Sequence, residues 1–255
     1  MFCNKLIKQT VISVLTSLLL CFNSCKDGRP KAVLLDFELN THLQLIQDGK
    51  TGSARVRLRQ HMVSRGETSQ PLFLMGLSYH LDKQYSKAAR WFSYSINAEG
   101  PSYPQAWHFI AWCHYYLGDS EQAKHSFEMY LKTDGDEPDS QFGLGLIAME
   151  DGDFDLAASL FKKSIRSSLN EPNIQAKAKS RLADVYVAWG ERERAILLYQ
   201  EAVQQNPNLY EAWFRLAKAL QRVNNIEASE KALEQFDIAR NRVRPDLYKQ
   251  TRFPE

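Results

Sequence analysis

Three aspartates, Asp151, Asp153 and Asp155, alternate along the sequence as the first ligands of a calcium-binding loop do. Such a loop requires a glycine at its sixth position and a carboxylate at its twelfth, because the chain must turn sharply and then close around the ion. This chain has Leu156 and Lys162 at those two positions. We therefore predict a turn between two helices, with Asp153 capping the second helix, instead of a calcium site.

Other residue types that carry chemistry are present but lack the spacing that would bring them together. Gly143 and Gly145 form an isolated G-x-G inside a predicted helix, whereas a dinucleotide-binding loop follows a strand. No nucleophile elbow, phosphate-binding loop or paired C-x-x-C occurs in the sequence. No two of the histidines have metal-ligand spacing on one helix face; they are His42, His61, His80, His108, His114 and His125. The sequence predicts a non-catalytic protein with no cofactor and no bound metal.

The charge balance argues against nucleic acid as a partner. The chain has 32 basic and 30 acidic residues, a net charge of +2. Lys5 and Lys8 precede the first acidic residue, Asp27, so removal of the amino-terminal segment would leave 30 residues of each sign. A neutral chain lacks the broad positive field that drives binding to a phosphate backbone.

Residues 1–24 have the composition of a signal peptide. Lys5 and Lys8 form a basic start, and an apolar run follows over residues 11–22. A run of that length is too short to span a bilayer, which needs roughly 20 apolar residues. The alternative, a buried first helix of the folded domain, fits less well because the run is apolar on all sides. We therefore predict export.

The end of the apolar run, Leu20-Cys21-Phe22-Asn23-Ser24-Cys25, resembles a bacterial lipoprotein signal. Ser24 fits the small residue before the acylated cysteine, whereas Phe22 departs from the usual leucine. The resemblance implies lipidation at Cys25, a linker over residues 25–34, and anchoring on the periplasmic or extracellular side of a membrane. The alternative is a soluble secreted or periplasmic protein. With Cys25 lipidated, Cys113 has no disulfide partner, and we predict that it is a small buried hydrophobe.

A repeat runs through the rest of the sequence. A small residue is followed four positions later by a bulky one at six places, and the successive spacings are 34, 35, 34, 38 and 34 residues. Such a period predicts a repeat architecture. The pairs are Ala54 with Leu58, Ala88 with Phe92, Ala123 with Phe127, Ala157 with Phe161, Ala195 with Tyr199, and Ser229 with Leu233.

A second series of small residues precedes the first by about a dozen positions and predicts two antiparallel helices per repeat. It consists of Gly76, Ala111, Gly145, Ala183 and Ala217. Residues that accept a left-handed backbone lie between the two series, namely Gly49, Gly118, Gly152, Gly190 and Asn224. Asp119 and Asp153 follow two of those glycines and suit the amino-terminal cap of the second helix.

This pattern resembles the tetratricopeptide repeat, a helix-turn-helix of 34 residues. The clearest unit has Leu182-Ala183 and Tyr186 in its first helix, then Ala195, Tyr199, Ala202 and Pro207. The resemblance implies an all-α, right-handed superhelical solenoid of about six antiparallel helix pairs. The units are expected near residues 35–68, 69–103, 104–137, 138–171, 176–209 and 210–242. The first unit is cryptic because His42 replaces a small residue. The interval between the fourth and fifth units contains about four extra residues near 170–173. After the last unit, residues 243–255 form a basic tail.

The resemblance also implies that the first helix of each unit lines a concave groove for a partner helix or peptide. Helical spacing predicts an apolar, aromatic wall made of Phe73, Leu77, His80, His108, Trp112, Tyr115, Tyr116, Phe142, Leu146 and Met149. The later units place polar and charged residues there, including Asp184, Lys218 and Arg222, beside Phe214. A partner with an apolar face and an acidic segment would fit. Chaperone tails are disfavoured, because Phe73 and Leu77 replace the lysine and asparagine that bind them.

The sequence therefore predicts a membrane-anchored scaffold or assembly factor that binds another protein, similar to the tetratricopeptide lipoproteins of bacterial cell-envelope machines. Two alternatives stay open at this level. One is a soluble secreted or periplasmic binding module, and the other is a structural protein that associates with copies of itself.

Overall fold

The computed structural model describes residues 37–99, 103–133 and 136–245, and these residues form helices without strands. The predicted signal peptide, Cys25, the linker and residues 246–255 of the tail lie outside the described residues. No helix within the described ranges has both the length and the apolar character needed to cross a membrane. The helices are α1 (Phe37–Gln47), α2 (Thr51–Arg65), α3 (Ser69–Leu81), α4 (Tyr85–Asn97), α5 (Gln105–Tyr116), α6 (Ser120–Leu131), α7 (Pro138–Glu150), α8 (Phe154–Ser167), α9 (Pro172–Ala188), α10 (Arg192–Gln205), α11 (Tyr210–Arg222) and α12 (Ile226–Val243).

The described residues divide into two compact units. The amino-terminal unit contains α1 to α6 and the carboxyl-terminal unit contains α7 to α12, with the division between residues 135 and 136. Within each unit, successive helices pack in pairs as hairpins: α1 with α2, α3 with α4, and α5 with α6 in the first unit, and likewise in the second. Helix pairs of this kind bury their apolar faces against one another, which confirms the predicted all-α repeat fold.

The turns inside the hairpins have the predicted left-handed residues. Gly118 has a φ of 80°, Gly152 a φ of 80°, and Asn224 a φ of 60°. The second hairpin uses Lys83, with a φ of 59°, which the sequence analysis did not anticipate. A non-glycine residue costs roughly 1–2 kcal/mol in this conformation, so the surrounding helix pair must hold it there.

Both predicted amino-terminal caps are confirmed. The backbone N–H of Gln122 donates to Asp119 Oδ1 at 3.2 Å, and the N–H of Leu156 donates to Asp153 Oδ1 at 3.0 Å. These bonds satisfy amide groups that the first turn of a helix leaves without partners. The alternation of aspartates around Asp153 is therefore explained by a turn and a cap.

Small residues permit close contact within the hairpins, as predicted. A Cβ atom on Gly76 would lie 2.5 Å from the ring of Phe92, and one on Gly145 would lie 2.6 Å from the ring of Phe161. Both phenylalanine rings are fully buried. Leu233, the last bulky residue of the series, is instead 41% exposed. No described helix follows α12 to cover that face, which explains the difference.

The longer interval between the fourth and fifth repeats adds length to a helix. α9 begins at Pro172 and contains 17 residues, so it starts four residues before the predicted unit boundary at 176. Proline is tolerated in the first turn of a helix because its missing N–H would have no intrahelical acceptor there. The extra residues therefore extend α9 at its amino end.

Candidate functional site

The apolar wall predicted for the amino-terminal unit is buried at α3. The side chains of Phe73 and Leu77 have almost no exposed surface. The ring of Phe73 lies 5.3 Å from that of Phe92, 4.5 Å from Tyr103 and 5.4 Å from Phe109. Aromatic rings at these separations stabilise a core. The expectation that Phe73 and Leu77 present an open surface is therefore corrected.

His80 follows on α3 and lies within the same aromatic layer. Its ring centroid is 5.4 Å from that of Tyr85, 5.7 Å from Phe109 and 6.3 Å from Tyr116. Burial, together with a smaller contribution from the nearby His108, lowers the pKa of His80 to about 4. His80 is therefore neutral at pH 7 and contributes an aromatic surface instead of a charge.

The wall residues of α5 differ in exposure. His108 and Trp112 are buried, Tyr115 is half-buried, and Tyr116 is 52% exposed. The ring of Tyr116 stacks on Tyr85 at 4.7 Å and on Trp112 at 5.7 Å. The prediction of open surface is thus corrected for His108 and Trp112, whereas Tyr116 offers an aromatic face to solvent.

Cys113 lies on the same helix and is a buried free thiol, as predicted. Desolvation raises the pKa of Cys113 to about 12, so the side chain stays protonated. It behaves as a small hydrophobe and not as a nucleophile.

In the carboxyl-terminal unit, the predicted apolar wall on α7 is also mostly core. Phe142 and Leu146 are buried, and the ring of Phe142 lies 5.8 Å from that of Phe161. Met149 is half-buried. The expectation of an open wall is corrected for Phe142 and Leu146, because their side chains pack where helices meet.

Asp184 on α9 is the centre of a polar network that links three helices. Its Oδ1 accepts a hydrogen bond from the Tyr199 hydroxyl at 2.6 Å and lies 3.2 Å from Arg215 Nε. Its Oδ2 accepts from Arg181 Nη1 at 3.1 Å. Burial raises the pKa of Tyr199, and the adjacent carboxylate raises it further. Asp184 is therefore engaged in holding α9, α10 and α11 together, a role that its predicted place in a groove did not suggest.

The exposed face of α11 has the predicted mixture of aromatic and basic residues. Phe214 is 42% exposed, and both Lys218 and Arg222 are exposed. The Lys218 ammonium lies 5.6 Å from the centroid of the Phe214 ring. A cation at this separation is attracted to the negative face of the ring.

Residues of α12 extend this face, and the sequence analysis missed them. The ring of Phe236 lies 5.5 Å from Phe214, and the Arg240 guanidinium lies 4.9 Å over Phe236. The spacing of four residues between Phe236 and Arg240 puts them on one helix face and was visible in the sequence. Arg222 lies one turn after Lys218 on α11 and is exposed. We call Tyr210, Phe214, Lys218, Arg222, Phe236 and Arg240 the basic-aromatic surface.

The described residues also include one group of possible metal ligands, formed by Glu38, His42 and His61. The spacing of histidines within a single helix does not predict this group, because its members lie on two helices. His42 belongs to α1 and His61 to α2, so only the folded hairpin brings them together.

Comparison with known proteins identifies the repeats. Models of the tetratricopeptide repeat match residues 110–172, 176–209 and 198–234. Among curated proteins, the photosystem I assembly protein Ycf3 of Synechococcus sp. (strain CC9605) is 31% identical over 84 residues, which is 29% of this chain and 48% of the relative. The match therefore spans about half the length of that relative.

Solved structures with the same fold include the Pseudomonas aeruginosa protein pilF, with a TM-score of 0.67 and 16% identity. That comparison covers 84% of this chain and 94% of pilF. The Cut9–Hcn1 hetero-tetramer of the APC/C gives a TM-score of 0.66 and 17% identity over 87% of this chain and 44% of the other. Identities this low show the fold alone. The chain contains tetratricopeptide repeats, and its all-α fold is of the tetratricopeptide-repeat type.

Proposed function

We propose that this protein is a non-catalytic scaffold or assembly factor that binds a helix or an extended peptide of another protein. Proteins built from tetratricopeptide repeats generally act as scaffolds for protein–protein interaction. The curated relative is named as an assembly protein, which supports a role in assembly for the repeats that the two share.

The basic-aromatic surface is the observation that carries this proposal. Its rings are held by contacts with one another and with cations, so they lose little freedom when a partner binds. Aromatic and arginine side chains dominate the energetics of protein interfaces. Lys218, Arg222 and Arg240 favour an acidic segment, and Phe214 with Phe236 favours an apolar side chain beside it.

The protein acts at a membrane surface in this proposal. Residues 1–24 direct export, and a lipid on Cys25 holds the chain on the periplasmic or extracellular side. The support is the sequence signal: a basic start, an apolar run of a dozen residues, and Ser24 before Cys25. The lipid would confine the binding surface to the membrane where its partner assembles.

A crosslinked pull-down from native membranes tests both parts. The baits are the full-length chain, Cys25→Ser, the double variant Lys218→Glu/Arg222→Glu, and a control Lys163→Glu/Lys231→Glu. The control changes the net charge equally at two exposed positions, on α8 and α12, that do not belong to the basic-aromatic surface. Mass spectrometry identifies the captured proteins and measures the mass of the mature amino terminus.

We expect one reproducible partner with the wild type and the control, and its loss with Lys218→Glu/Arg222→Glu. We also expect an acylated Cys25 and release of Cys25→Ser from the membrane. Equal capture by the surface variant and the control would refute the assigned surface. A soluble, unmodified wild type would favour a secreted binding module, and a bait that captures only itself would favour a self-associating structural protein.

A further inference from the structure

Three potential metal ligands converge in the first hairpin. Glu38 and His42 lie one turn apart on α1, and His61 lies on α2. The ligand atoms of all three side chains lie within 4.8 Å of one another. Residues four apart share a helix face, so the two ligands of α1 both point towards the third.

The two imidazoles are buried between α1 and α2. His42 and His61 are 4% and 5% exposed, and their rings meet edge to face with centroids 6.1 Å apart. His61 Nδ1 lies 3.3 Å from Glu38 Oε2, yet it is buried without a hydrogen bond. A buried polar atom without a hydrogen bond destabilises the fold unless it binds another group, such as a metal ion.

His42 and His61 also distinguish the first hairpin from the other repeats. The residues 34 positions after His42 and His61 are Gly76 and Ser95. Gly76 belongs to the series of small residues at the contact between the two helices of a hairpin. The first hairpin replaces both with imidazoles. Two histidines at two packing positions that face each other, with a carboxylate beside them, are unlike the other described hairpins.

We propose that Glu38, His42 and His61 bind one divalent transition-metal ion of the Zn²⁺ class. Imidazole nitrogen and carboxylate oxygen are ligands of this class of ion. In a tetrahedral site with bonds of about 2.0 Å, neighbouring ligand atoms lie about 3.3 Å apart. The distance between His61 Nδ1 and Glu38 Oε2, 3.3 Å, already has this value.

Access for the ion comes from the Glu38 side. The Glu38 side chain is 44% exposed, which leaves room for the ion to enter and for water as a fourth ligand. Arg65 Nη2 lies 3.3 Å from the same Oε2 and competes for it. The Arg65 side chain is 62% exposed, so it can turn into solvent when the ion binds. The bound ion joins α1 to α2 and stabilises the first hairpin.

Equilibrium dialysis of the full-length chain against Zn²⁺, purified without a polyhistidine tag, tests the proposal. The variants are His42→Ala, His61→Ala and Glu38→Gln, and the control is His125→Ala, an exposed histidine on α6. We expect one equivalent of Zn²⁺ that the control retains. Each histidine variant should bind it at least about 100-fold more weakly, because even the loss of an outer hydrogen bond to a ligand costs 10- to 100-fold.

Two further measurements separate ligand loss from unfolding. Circular dichroism should show unchanged helix content in Glu38→Gln, whose side chain is partly exposed, while its Zn²⁺ affinity falls. Co²⁺ should give the visible absorption of a four-coordinate site in the wild type and lose it in His61→Ala. Equal Zn²⁺ binding by the wild type and His61→Ala, or no binding by the wild type, would overturn the proposal.

Discussion

The two units apply one repeat architecture to two different kinds of interior. In the amino-terminal unit, the first helices contribute aromatic rings that pack on one another, such as Phe73 and Phe109 at 5.4 Å. In the carboxyl-terminal unit, two of the first helices also contribute charge: Asp184 on α9 pairs with Arg215 on α11 at 3.2 Å. The repeat fold determines where the side chains of the first helices lie. Their chemistry determines whether they stabilise the core or remain available to bind a partner.

Side chains at the same repeat position therefore have different roles in the two units. An aromatic side chain on a first helix is drawn into contact with its neighbours, because burial of its ring removes a large apolar area from water. A charged side chain at such a place stays at the surface or finds a partner, because burial without one is costly. Lys218 and Arg222 are therefore exposed, whereas Leu77 is buried.

The largest effect is expected from Phe92→Ala in the aromatic unit. The fully buried ring fills the space opposite Gly76, so its removal leaves a cavity and should lower the free energy of unfolding by about 3–5 kcal/mol. The matched control is Leu233→Ala at the equivalent repeat position in α12, where 41% exposure predicts a loss below about 1.5 kcal/mol. Chemical denaturation measures both. Equal losses would show that burial at this repeat position does not determine how much its side chain stabilises the fold.

Acid should destabilise the amino-terminal unit through protonation of His80. Its pKa is about 4 in the folded protein and 6.5 in the unfolded chain, so the unfolded chain binds more protons between these values. Stability from this group is complete above about pH 6.5 and is lost as the pH falls to 4. One pKa unit corresponds to about 1.4 kcal/mol, so the loss approaches about 3 kcal/mol.

The measurement is urea denaturation of the wild type and His80→Gln between pH 7 and pH 4. The variant should lack most of this acid-induced loss, because glutamine does not titrate. Parallel pH profiles for the two proteins would mean that His80 does not sense pH.

Asp184→Asn tests the charged interior and should have a smaller effect. The substitution keeps the shape of the side chain but removes the charge that Arg181, Arg215 and the Tyr199 hydroxyl share. Hydrogen bonds to charged groups contribute about 1.5–3 kcal/mol, which sets the expected loss. Asp237→Asn is the control, because its ion pair with Arg240 at 2.8 Å is exposed and worth less than about 1 kcal/mol. Thermal unfolding measures the stability of both variants. An equal loss of stability in Asp237→Asn and Asp184→Asn would contradict the role of Asp184 in holding the three helices together.

Periodic features were predictable from the sequence because they depend on neighbours along the chain. The left-handed turns at Gly118 and Asn224 and the cap at Asp119 follow from local backbone requirements and were predicted. Lys83 was missed because nothing in its own chemistry favours a left-handed conformation; the hairpin imposes it. Features that depend on which helices meet were harder to predict.

The residues predicted to line the groove show why contacts between helices were harder to predict. Spacing places Phe73 and Trp112 on the predicted face of their helices, but spacing does not measure how closely neighbouring aromatic rings approach. The group of Glu38, His42 and His61 was invisible for a related reason, since its members come together only when α1 packs on α2.

The smallest stability effect is expected from Tyr116→Ala, which separates surface from interior within a single helix. Tyr116 is 52% exposed and stacks on Tyr85, so its loss should change the free energy of unfolding by less than about 1.5 kcal/mol. Trp112→Ala, four residues earlier and buried, should cost about 3 kcal/mol or more. If α5 contributes to partner binding, Tyr116→Ala weakens capture at full helix content, which pull-down and circular dichroism measure together. Unchanged capture by Tyr116→Ala would show that the exposed ring of α5 does not belong to the binding surface.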